Sequence, residues 1–216
     1  MNPLLQAHEA TREFWRGRTG CGERATRFYT ETDAYDLAAL RGCAATADSL
    51  RVLDLGCGTC TISSRLVAEL GWRVHGVDFI PEFLGYAIDH PLMSTAVGDV
   101  RSYQDAGGYD MVLSLAVINY LLAASERDAM YERCARMLAA GGRLFLKAQF
   151  GIREEVNVDG YSPALGTHYR AVYPQLQAEL ARIGEFFATT ELRDPYPAHL
   201  NPHPNTHFHY VIARLR

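Results

Sequence analysis

Residues 51–59 read Arg-Val-Leu-Asp-Leu-Gly-Cys-Gly-Thr, and this stretch decides the fold. Its first half, Arg51–Leu55, is a short apolar run that predicts a buried strand. Two glycines follow at once, so the chain can turn sharply there. The sequence then predicts a helix from Thr61 to Leu70, with Gly71 in the position of a C-cap glycine. A strand, a glycine turn and a helix in this order form the opening unit of a parallel α/β sheet.

The same alternation of strands and helices continues toward the C-terminus. We predict further strands over Trp72–Val77, Thr95–Val97, Tyr109–Leu115, Arg143–Gln149, Phe186–Asp194 and Phe208–Leu215, and helices starting at Pro81, from Ser125 to Ala140 and from Tyr169 to Ile183. Strands separated by helices pair in parallel through right-handed crossovers. The last two strands are joined by a loop rich in proline and histidine, so we expect an antiparallel hairpin there.

The first fifty residues differ from the rest in composition. They are rich in charged and aromatic side chains, and they predict helices over Leu4–Arg16 and Asp33–Leu40. The glycines between positions 17 and 22 mark a loop. We therefore divide the chain into an N-terminal helical lid over residues 1–50 and a ligand-binding α/β domain over residues 51–216. The insert Gly151–His168 follows the fifth strand, so it is either a plain crossover loop or a segment whose start opens onto the ligand-binding edge of the sheet.

Composition excludes several classes of protein. Hydrophobic residues make up 48% of the chain and charged residues 21%, as in a globular domain rather than a disordered one. The net charge of −4 argues against a nucleic-acid partner, and 20 of the 21 basic residues are arginines, with Lys147 the single lysine. No signal peptide or membrane-length apolar run occurs, and the five cysteines are dispersed. We expect a cytoplasmic monomer or homodimer with reduced thiols and no membrane association.

Acidic side chains follow three of the predicted strands. Asp54 precedes the glycine turn, Asp78 lies 22 residues beyond Gly56, and Asp99 follows the third strand. In an open parallel sheet, ligands bind beyond the carboxyl ends of the strands, and a carboxylate at the end of the second strand can hold a ribose. A dinucleotide site would need a third glycine where Thr61 stands, and Asp54 would repel a pyrophosphate. The pattern therefore favours a nucleoside ligand that carries positive charge.

These motifs, in this order, resemble those of the class I S-adenosylmethionine-dependent methyltransferases. The resemblance implies a Rossmann-like, doubly wound sheet of seven strands, mostly parallel, with a C-terminal antiparallel hairpin strand. Cys60 departs from the pattern, because many members carry a glycine there. The segments that carry the resemblance are Val52–Thr59, Val77-Asp78, Gly98-Asp99, Tyr109–Leu113, Gly141–Leu146 and His209–Ala213.

The resemblance also implies a role for each residue around the cofactor, S-adenosylmethionine. Asp54 would order the loop, Asp78 would hold the ribose, and Asp99 would accept a hydrogen bond from the adenine amino group. The remaining cofactor-binding residues expected are Gly56, Cys57 and Gly58 beneath the methionine part, Phe79 and Val100 around the adenine, Leu115 and Tyr120 after the fourth strand, and Trp15 and Arg18 from the lid.

The residues that would act on the cofactor are less defined by sequence. We expect Asn119, Tyr169, Tyr29 and His199 to be catalytic, with His168 and His203 as further candidate bases. His199, His203, His207 and His209 lie within eleven residues, but their spacing favours a pocket lining over zinc, so we predict no metal.

Three functions remain compatible with these residues. The first is methyl transfer to a nitrogen or oxygen of a small molecule, as in secondary metabolism. The second is cyclisation of the cofactor alone: its amine would attack its own γ-carbon, giving azetidine-2-carboxylate and methylthioadenosine. The third is cofactor binding without catalysis.

Overall fold

The computed structural model describes residues 3–26, 32–43, 49–162, 166–193, 196–201 and 203–215. Its helices are α1 (Pro3–Gly17), α2 (Thr32–Cys43), α3 (Thr61–Leu70), α4 (Pro81–Leu84), α5 (Ala124–Met137) and α6 (Leu176–Phe186). Its strands are β1 (Arg51–Leu55), β2 (Arg73–Asp78), β3 (Met93–Val97), β4 (Tyr109–Leu115), β5 (Leu138–Gly151), β6 (Val156–Ser162), β7 (Thr167–Tyr173), β8 (Thr189–Arg193) and β9 (Thr206–Arg214).

Seven strands form one sheet in the order β3-β2-β1-β4-β5-β9-β8. The first five pair in parallel, and β9 runs antiparallel to both β5 and β8. The predicted α/β fold class is therefore confirmed, including the antiparallel hairpin strand near the C-terminus. Strand order reverses between β1 and β4, which opens a crevice at their carboxyl ends. No helix in the described ranges is long and apolar enough to cross a membrane.

Apolar side chains cover both faces of the sheet. On one face, residues such as Leu53 and Leu144 pack with Tyr131 of α5 and Ile183 of α6. On the other face, residues such as Val52 and Phe145 pack with α2 and α3. Two-sided burial explains why β1 and β4 read as continuous apolar runs instead of alternating ones. The helix predicted over Asp33–Leu40 corresponds to α2, and its buried apolar side chains belong to the core on this face of the sheet.

The helix predicted from Tyr169 to Ile183 was wrong over its first seven residues, Tyr169–Gln175. Residues Thr167–Tyr173 form β7, which pairs antiparallel with β6 in a separate two-stranded sheet, and α6 begins only at Leu176. Pro174 supplies the physical reason, because the residue before a proline is forced into extended backbone. The predicted crossover loop Gly151–His168 is accordingly the first half of this β6–β7 hairpin.

The limits of α5 and β5 also differ from those predicted. The helix begins at Ala124 and ends at Met137, and its cap is Ala123 instead of Ser125. Glu126 supplies the capping bond, because its carboxylate accepts from the Ala123 amide at 3.1 Å. β5 is correspondingly longer, and it continues to Gly151 beside β9.

A buried ion pair joins α5 to α6. The Nε of Arg127 donates to Oε1 of Glu179 at 2.9 Å, and the Tyr131 hydroxyl donates to the same oxygen at 2.7 Å. Arg127 and Glu179 are 2% and 1% exposed. Glu155, a more exposed carboxylate, lies 3.5 Å from Arg127. Each buried charge therefore depends mainly on the other for compensation.

We expect Glu179→Ala to lower the free energy of unfolding by about 3–5 kcal/mol, because it leaves Arg127 buried without its main counter-charge. The matched control is Glu132→Ala, which removes an exposed partner of Arg136 and should change that free energy by about 0.5 kcal/mol or less. Urea unfolding followed by circular dichroism measures both. Equal effects of the two substitutions would contradict the role given to the buried pair.

Candidate active site

A cleft of about 240 Å³ lies at the carboxyl ends of the central strands, covered on one side by α1. Its walls come from the loops after β1, β2, β3 and β4, as the sheet topology requires. From α1, His8, Thr11, Arg12 and Trp15 face the cleft. The residues expected at the cofactor that line it are Asp54, Gly56, Cys57, Gly58, Asp78, Phe79, Asp99, Val100, Leu115, Tyr120 and Trp15.

The loop after β1 depends on left-handed backbone. Gly56 and Gly58 have φ of 76° and 54°. A Cβ at Gly56 would lie 2.4 Å from the Val117 side chain, and one at Gly58 would lie 2.6 Å from Thr26. Neighbouring side chains therefore leave no room for a Cβ at either position, so the fold itself requires both glycines, independently of any ligand. Cys60 shares the left-handed conformation with φ 55° in spite of its side chain.

Asp78, at the end of β2, fixes this loop in place. Its Oδ2 accepts from the Gly58 amide and its Oδ1 from the Ile80 amide, both at 2.9 Å. The side chain is buried, and burial raises the pKa of Asp78 above its ordinary value. The hydrogen bonds from the backbone amides lower this pKa, but by less than burial raises it. Each oxygen retains a second lone pair that can accept from a ligand hydroxyl.

Asp54, at the end of β1, carries an unpartnered acceptor. Ser63 donates to its Oδ2 at 2.5 Å, whereas its buried Oδ1 has no hydrogen-bond partner. Burial raises the pKa of Asp54 to about 6. A buried carboxylate oxygen without a partner is costly, and a donor from a bound ligand would remove that cost.

Asp99, after β3, is held by arginine. Its Oδ2 lies 2.5 Å from Nη2 of Arg101, and Nη2 of Arg12 from α1 lies 3.6 Å away. Burial opposes ionisation, yet the hydrogen bonds from Arg101 lower the pKa of Asp99 below its ordinary value. The carboxylate is therefore ionised, and it connects α1 to the sheet. Phe79 stacks under the Arg12 guanidinium at 5.6 Å.

The two cysteines of the loop are free thiols close to each other. The Sγ atoms of Cys57 and Cys60 are 3.3 Å apart. The hydrogen bond between them and their burial raise the pKa of Cys57 well above its ordinary value, so the thiol is a poor nucleophile. In the described part of the chain, no group of three His, Cys, Asp or Glu side chains could hold a metal ion.

Two of the predicted site residues, Arg18 and His199, line neither this cleft nor the second cavity described below. Arg18 donates through Nε to the Ala25 carbonyl at 2.6 Å, which draws its guanidinium to the turn that follows α1. His199 is exposed in the short helical turn Ala198–Leu200 and lines neither cavity. Tyr29 lies outside the described residues. The roles given to these three stay predictions.

Asn119 and Tyr169 line a second cavity of about 750 Å³ between the β6–β7 hairpin and the segment before β9. Asn119 is buried, and its amide group donates to the carbonyls of Gln149 and Val172 at 2.8 and 2.9 Å. The Asn119 side chain therefore links β7 to the end of β5 through these two hydrogen bonds. The candidate base His203 lines the same cavity, whereas His168 lies on the outside of the hairpin beside Asp159.

A buried polar cluster in the cofactor cleft was missed by the sequence analysis. Nζ of Lys147 lies 2.5 Å from Oδ2 of Asp36, and the hydroxyls of Tyr196 and Tyr210 donate to Oδ1 at 3.0 and 2.6 Å. Burial lowers the pKa of Lys147, but the neighbouring Asp36 carboxylate has the larger effect and raises this pKa above its ordinary value. The sequence signal was the single lysine of the chain, on the strand that borders the site.

Comparison with known proteins agrees with this geometry. Residues 52–142 match the methyltransferase domain family. A ubiquinone biosynthesis O-methyltransferase of Xanthomonas oryzae pv. oryzae (strain PXO99A) is 35% identical over 103 residues, which are 44% of this chain and 41% of that protein. The match thus spans about two fifths of the length of the curated relatives.

Two solved structures share the fold. A DhpI complex with S-adenosylhomocysteine has a TM-score of 0.70 at 18% identity, over 100% of this chain and 98% of that one. Phosphoethanolamine N-methyltransferase 2 of Haemonchus contortus, in complex with S-adenosylmethionine, has a TM-score of 0.64 at 17% identity, over 83% of this chain and 52% of that one. By its matched residues 52–142 and by its sheet, the chain resembles the class I S-adenosylmethionine-dependent methyltransferases, as its motifs predicted.

Proposed function

We propose that the chain is an S-adenosylmethionine-dependent methyltransferase that transfers a methyl group to a nitrogen or oxygen of a small molecule. The observation that carries this proposal is the meeting of three acids in one cleft. Asp54 and Asp78 lie at the carboxyl ends of β1 and β2, Asp99 lies just after β3, and these three strands are neighbours in the sheet. All three acids line the cavity beside the glycine loop. A cleft with this excess of carboxylates suits a nucleoside that carries cationic groups.

The residues present fit the parts of this cofactor. The unpartnered Oδ1 of Asp54 is an acceptor for its ammonium group, and the free lone pairs of Asp78 are acceptors for its ribose hydroxyls. Phe79 and Val100 would hold the adenine between them near Asp99. When bound, the cofactor supplies a methyl group on a positively charged sulfur.

The chain itself has to align the acceptor and exclude water. Trp15 of α1 packs edge-to-face on Tyr120 at 5.3 Å, and Phe14 packs on Tyr169 at 5.6 Å. These contacts join the predicted lid to the loop after β4 and to the β6–β7 hairpin. An aromatic cover of this kind keeps water from the reacting atoms and restricts the approach of the acceptor, which is the main contribution an enzyme can make to an in-line transfer.

Acceptor deprotonation would fall to a residue of the second cavity. Among the described residues, His203 is the only one of the candidate imidazoles that lines it. Burial raises the pKa of Tyr169 far above neutrality, so its phenol acts as a neutral hydrogen-bonding group instead of a base. The second cavity, at about 750 Å³, has the dimensions of a small-molecule site, which supports a small acceptor.

No observation favours cyclisation of the cofactor. The ubiquinone biosynthesis relative and the phosphoethanolamine relative are both named as methyltransferases. Asn119 does not distinguish the two reactions, because it was expected to be catalytic in either of them and its amide group donates to two backbone carbonyls. Methyl transfer is therefore the function that the site supports best.

Product identification tests this proposal. The protein is incubated with S-adenosylmethionine alone and with a panel of phenols and primary amines, and the nucleoside products are separated by mass spectrometry. We expect S-adenosylhomocysteine that depends on an acceptor, together with a methylated acceptor. Methylthioadenosine formed without any acceptor would show cyclisation and would overturn the proposal.

We expect Asp78→Ala to weaken S-adenosylhomocysteine binding by roughly ten- to a hundredfold, because hydrogen bonds to a charged group contribute about 1.5–3 kcal/mol. Asp89→Ala, which removes an exposed acid after α4, is the control and should bind normally. Calorimetry gives the affinities, and circular dichroism checks that both variants fold. A folded Asp78→Ala protein with wild-type affinity would remove Asp78 from the site.

The raised pKa of Asp54 predicts a pH dependence of cofactor binding. The ammonium group pairs with the ionised carboxylate, so below pH 6, where Asp54 takes up a proton, the proton competes with the ligand. We expect the affinity for S-adenosylhomocysteine to be constant above pH 7 and to fall by at most about tenfold per pH unit below 6. Asp54→Asn should remove this part of the dependence. Identical pH profiles for the two proteins would show that Asp54 does not face the ammonium.

A further inference from the structure

The part of the cofactor cleft that borders α2 and β5 carries its own charged groups. Asp36 of α2 and Lys147 of β5 line it, and Tyr196, Leu200 and Phe208 complete its wall. These residues lie outside the loops after β1, β2 and β3 that hold the three acids. Lys147 is also the single lysine of the protein. A buried cation in a cleft lined by acids needs a reason, because burying an ion is costly.

Sheet register places Lys147 and Asp54 on one face of the sheet, on either side of β4. Asp54 pairs with Leu113, and Lys147 pairs with Leu115. Residues that pair across neighbouring strands, or lie two apart on one strand, have side chains on the same face. β1 and β5 are two strand spacings apart, roughly 10 Å, a gap that the two side chains and a small ligand can span. Burial raises the pKa of Asp54, and Lys147 is close enough for its charge to act in the opposite direction.

The Lys147 ammonium keeps donor capacity for a ligand. It lies 2.5 Å from Oδ2 of Asp36, whose Oδ1 accepts from the hydroxyls of Tyr196 and Tyr210. The negative charge of Asp36 is therefore shared among three donors, of which the ammonium is one. An ammonium group has three N–H donors, and contacts with Asp36 and Tyr196 leave at least one of them. The Lys147 side chain, 11% exposed, lines the cleft and can present that donor to a ligand.

The arginines of the cleft lie at its opposite side. Among the described residues that line it, Arg12 and Arg101 are 3.6 and 2.5 Å from the carboxylate of Asp99. Asp99 follows β3, which is at the edge of the sheet and four strands away from β5. Arg18, which was expected at the cofactor, lines neither cavity. Of the lysine and arginine side chains described in the cleft, Lys147 is therefore the one beside β4 and Asp54.

We propose that Lys147, positioned by Asp36 and by the phenols of Tyr196 and Tyr210, is a carboxylate-binding subsite of the cofactor cleft. Together with the unpartnered Oδ1 of Asp54, it offers a cation and an anion to one ligand, as a zwitterionic α-amino acid requires. S-adenosylmethionine ends in such a group, so we expect its carboxylate here. A carboxylate on the acceptor has the same chemistry. The inference rests on the proposed function and adds to it the residue that holds this anion.

Two pairs of ligands, each differing by one carboxylate, test the subsite and identify the source of the anion. The first pair is S-adenosylhomocysteine and its decarboxylated counterpart S-adenosyl-3-thiopropylamine, which keeps the ammonium group. The second pair is 4-hydroxyphenylacetate and the neutral 4-hydroxyphenylacetamide, added to protein saturated with S-adenosylhomocysteine. Calorimetry gives each affinity, and the ratio within a pair reports on the carboxylate. We expect the wild type to prefer S-adenosylhomocysteine over its decarboxylated counterpart by about tenfold or more, since the latter cannot bond to a charged donor.

Substitutions in the ion pair separate ligand binding from a structural role. Asp36→Asn/Lys147→Met removes both charges and leaves no buried ion alone, and we expect the preference for the carboxylate to disappear. Lys147→Gln serves if the double variant does not fold. Asp36→Asn alone keeps the ammonium and removes its competing anion, so the preference should increase. An equal loss of preference in all these variants, Asp36→Asn included, would show that the pair acts only through the structure, and would overturn the proposal.

A matched control accounts for net charge. Arg136→Met removes one exposed cation of α5, 58% exposed, and should leave every ratio unchanged. Circular dichroism checks that each variant folds.

The outcomes keep the subsite apart from the proposed function. If the wild type does not bind S-adenosylhomocysteine, the proposed function fails, and the subsite fails with it. If a preference that depends on Lys147 occurs in the first pair, the subsite holds the cofactor, and if it occurs only in the second pair, the subsite holds the acceptor. If S-adenosylhomocysteine binds and neither ratio depends on Lys147, the carboxylate subsite alone is wrong.

Discussion

The candidate active site depends on one buried carboxylate. Asp78 accepts hydrogen bonds from the amides of Gly58 and Ile80, and so it joins the loop after β1 to the turn after β2. Without this link, a loop with two left-handed glycines would have many conformations open to it. The same carboxylate keeps lone pairs for a ligand. One side chain thus holds the loop that forms the cleft and keeps acceptor lone pairs for the ligand that we propose there.

Charge is distributed unequally between the two cavities. The cofactor cleft holds acids at three strand ends, together with the ion pair of Lys147 and Asp36. The second cavity holds phenols and aliphatic groups around one paired acid. A buried ion pair is weak evidence for stability, because desolvation offsets much of its attraction. Its position in the cleft, between α2 and β5, links the N-terminal helices to the strands that carry the site.

The elements added to the core sheet converge on the same place. α1 covers the cofactor cleft, the β6–β7 hairpin covers the second cavity, and aromatic contacts from Phe14 and Trp15 connect the two covers. The relative from Xanthomonas oryzae aligns with 103 residues, less than half of this chain. Both covers lie outside residues 52–142, which are the part of the chain that matches the methyltransferase domain family.

The main sheet, its parallel core and the acids and glycines at the strand ends could all be predicted from the sequence. This was possible because burial on both faces, turn glycines and strand-end positions are local patterns of residues 51–115. The contacts of Asn119 and Arg18, the formation of β7 where a helix was predicted, and the pairing of Asp36 with Lys147 could not be predicted and became known from the folded structure. Those contacts join residues that are far apart in the chain, and a local sequence pattern does not show which distant residues will meet. They also depend on whether a donor group bonds to a backbone carbonyl or to a ligand, which the sequence does not show.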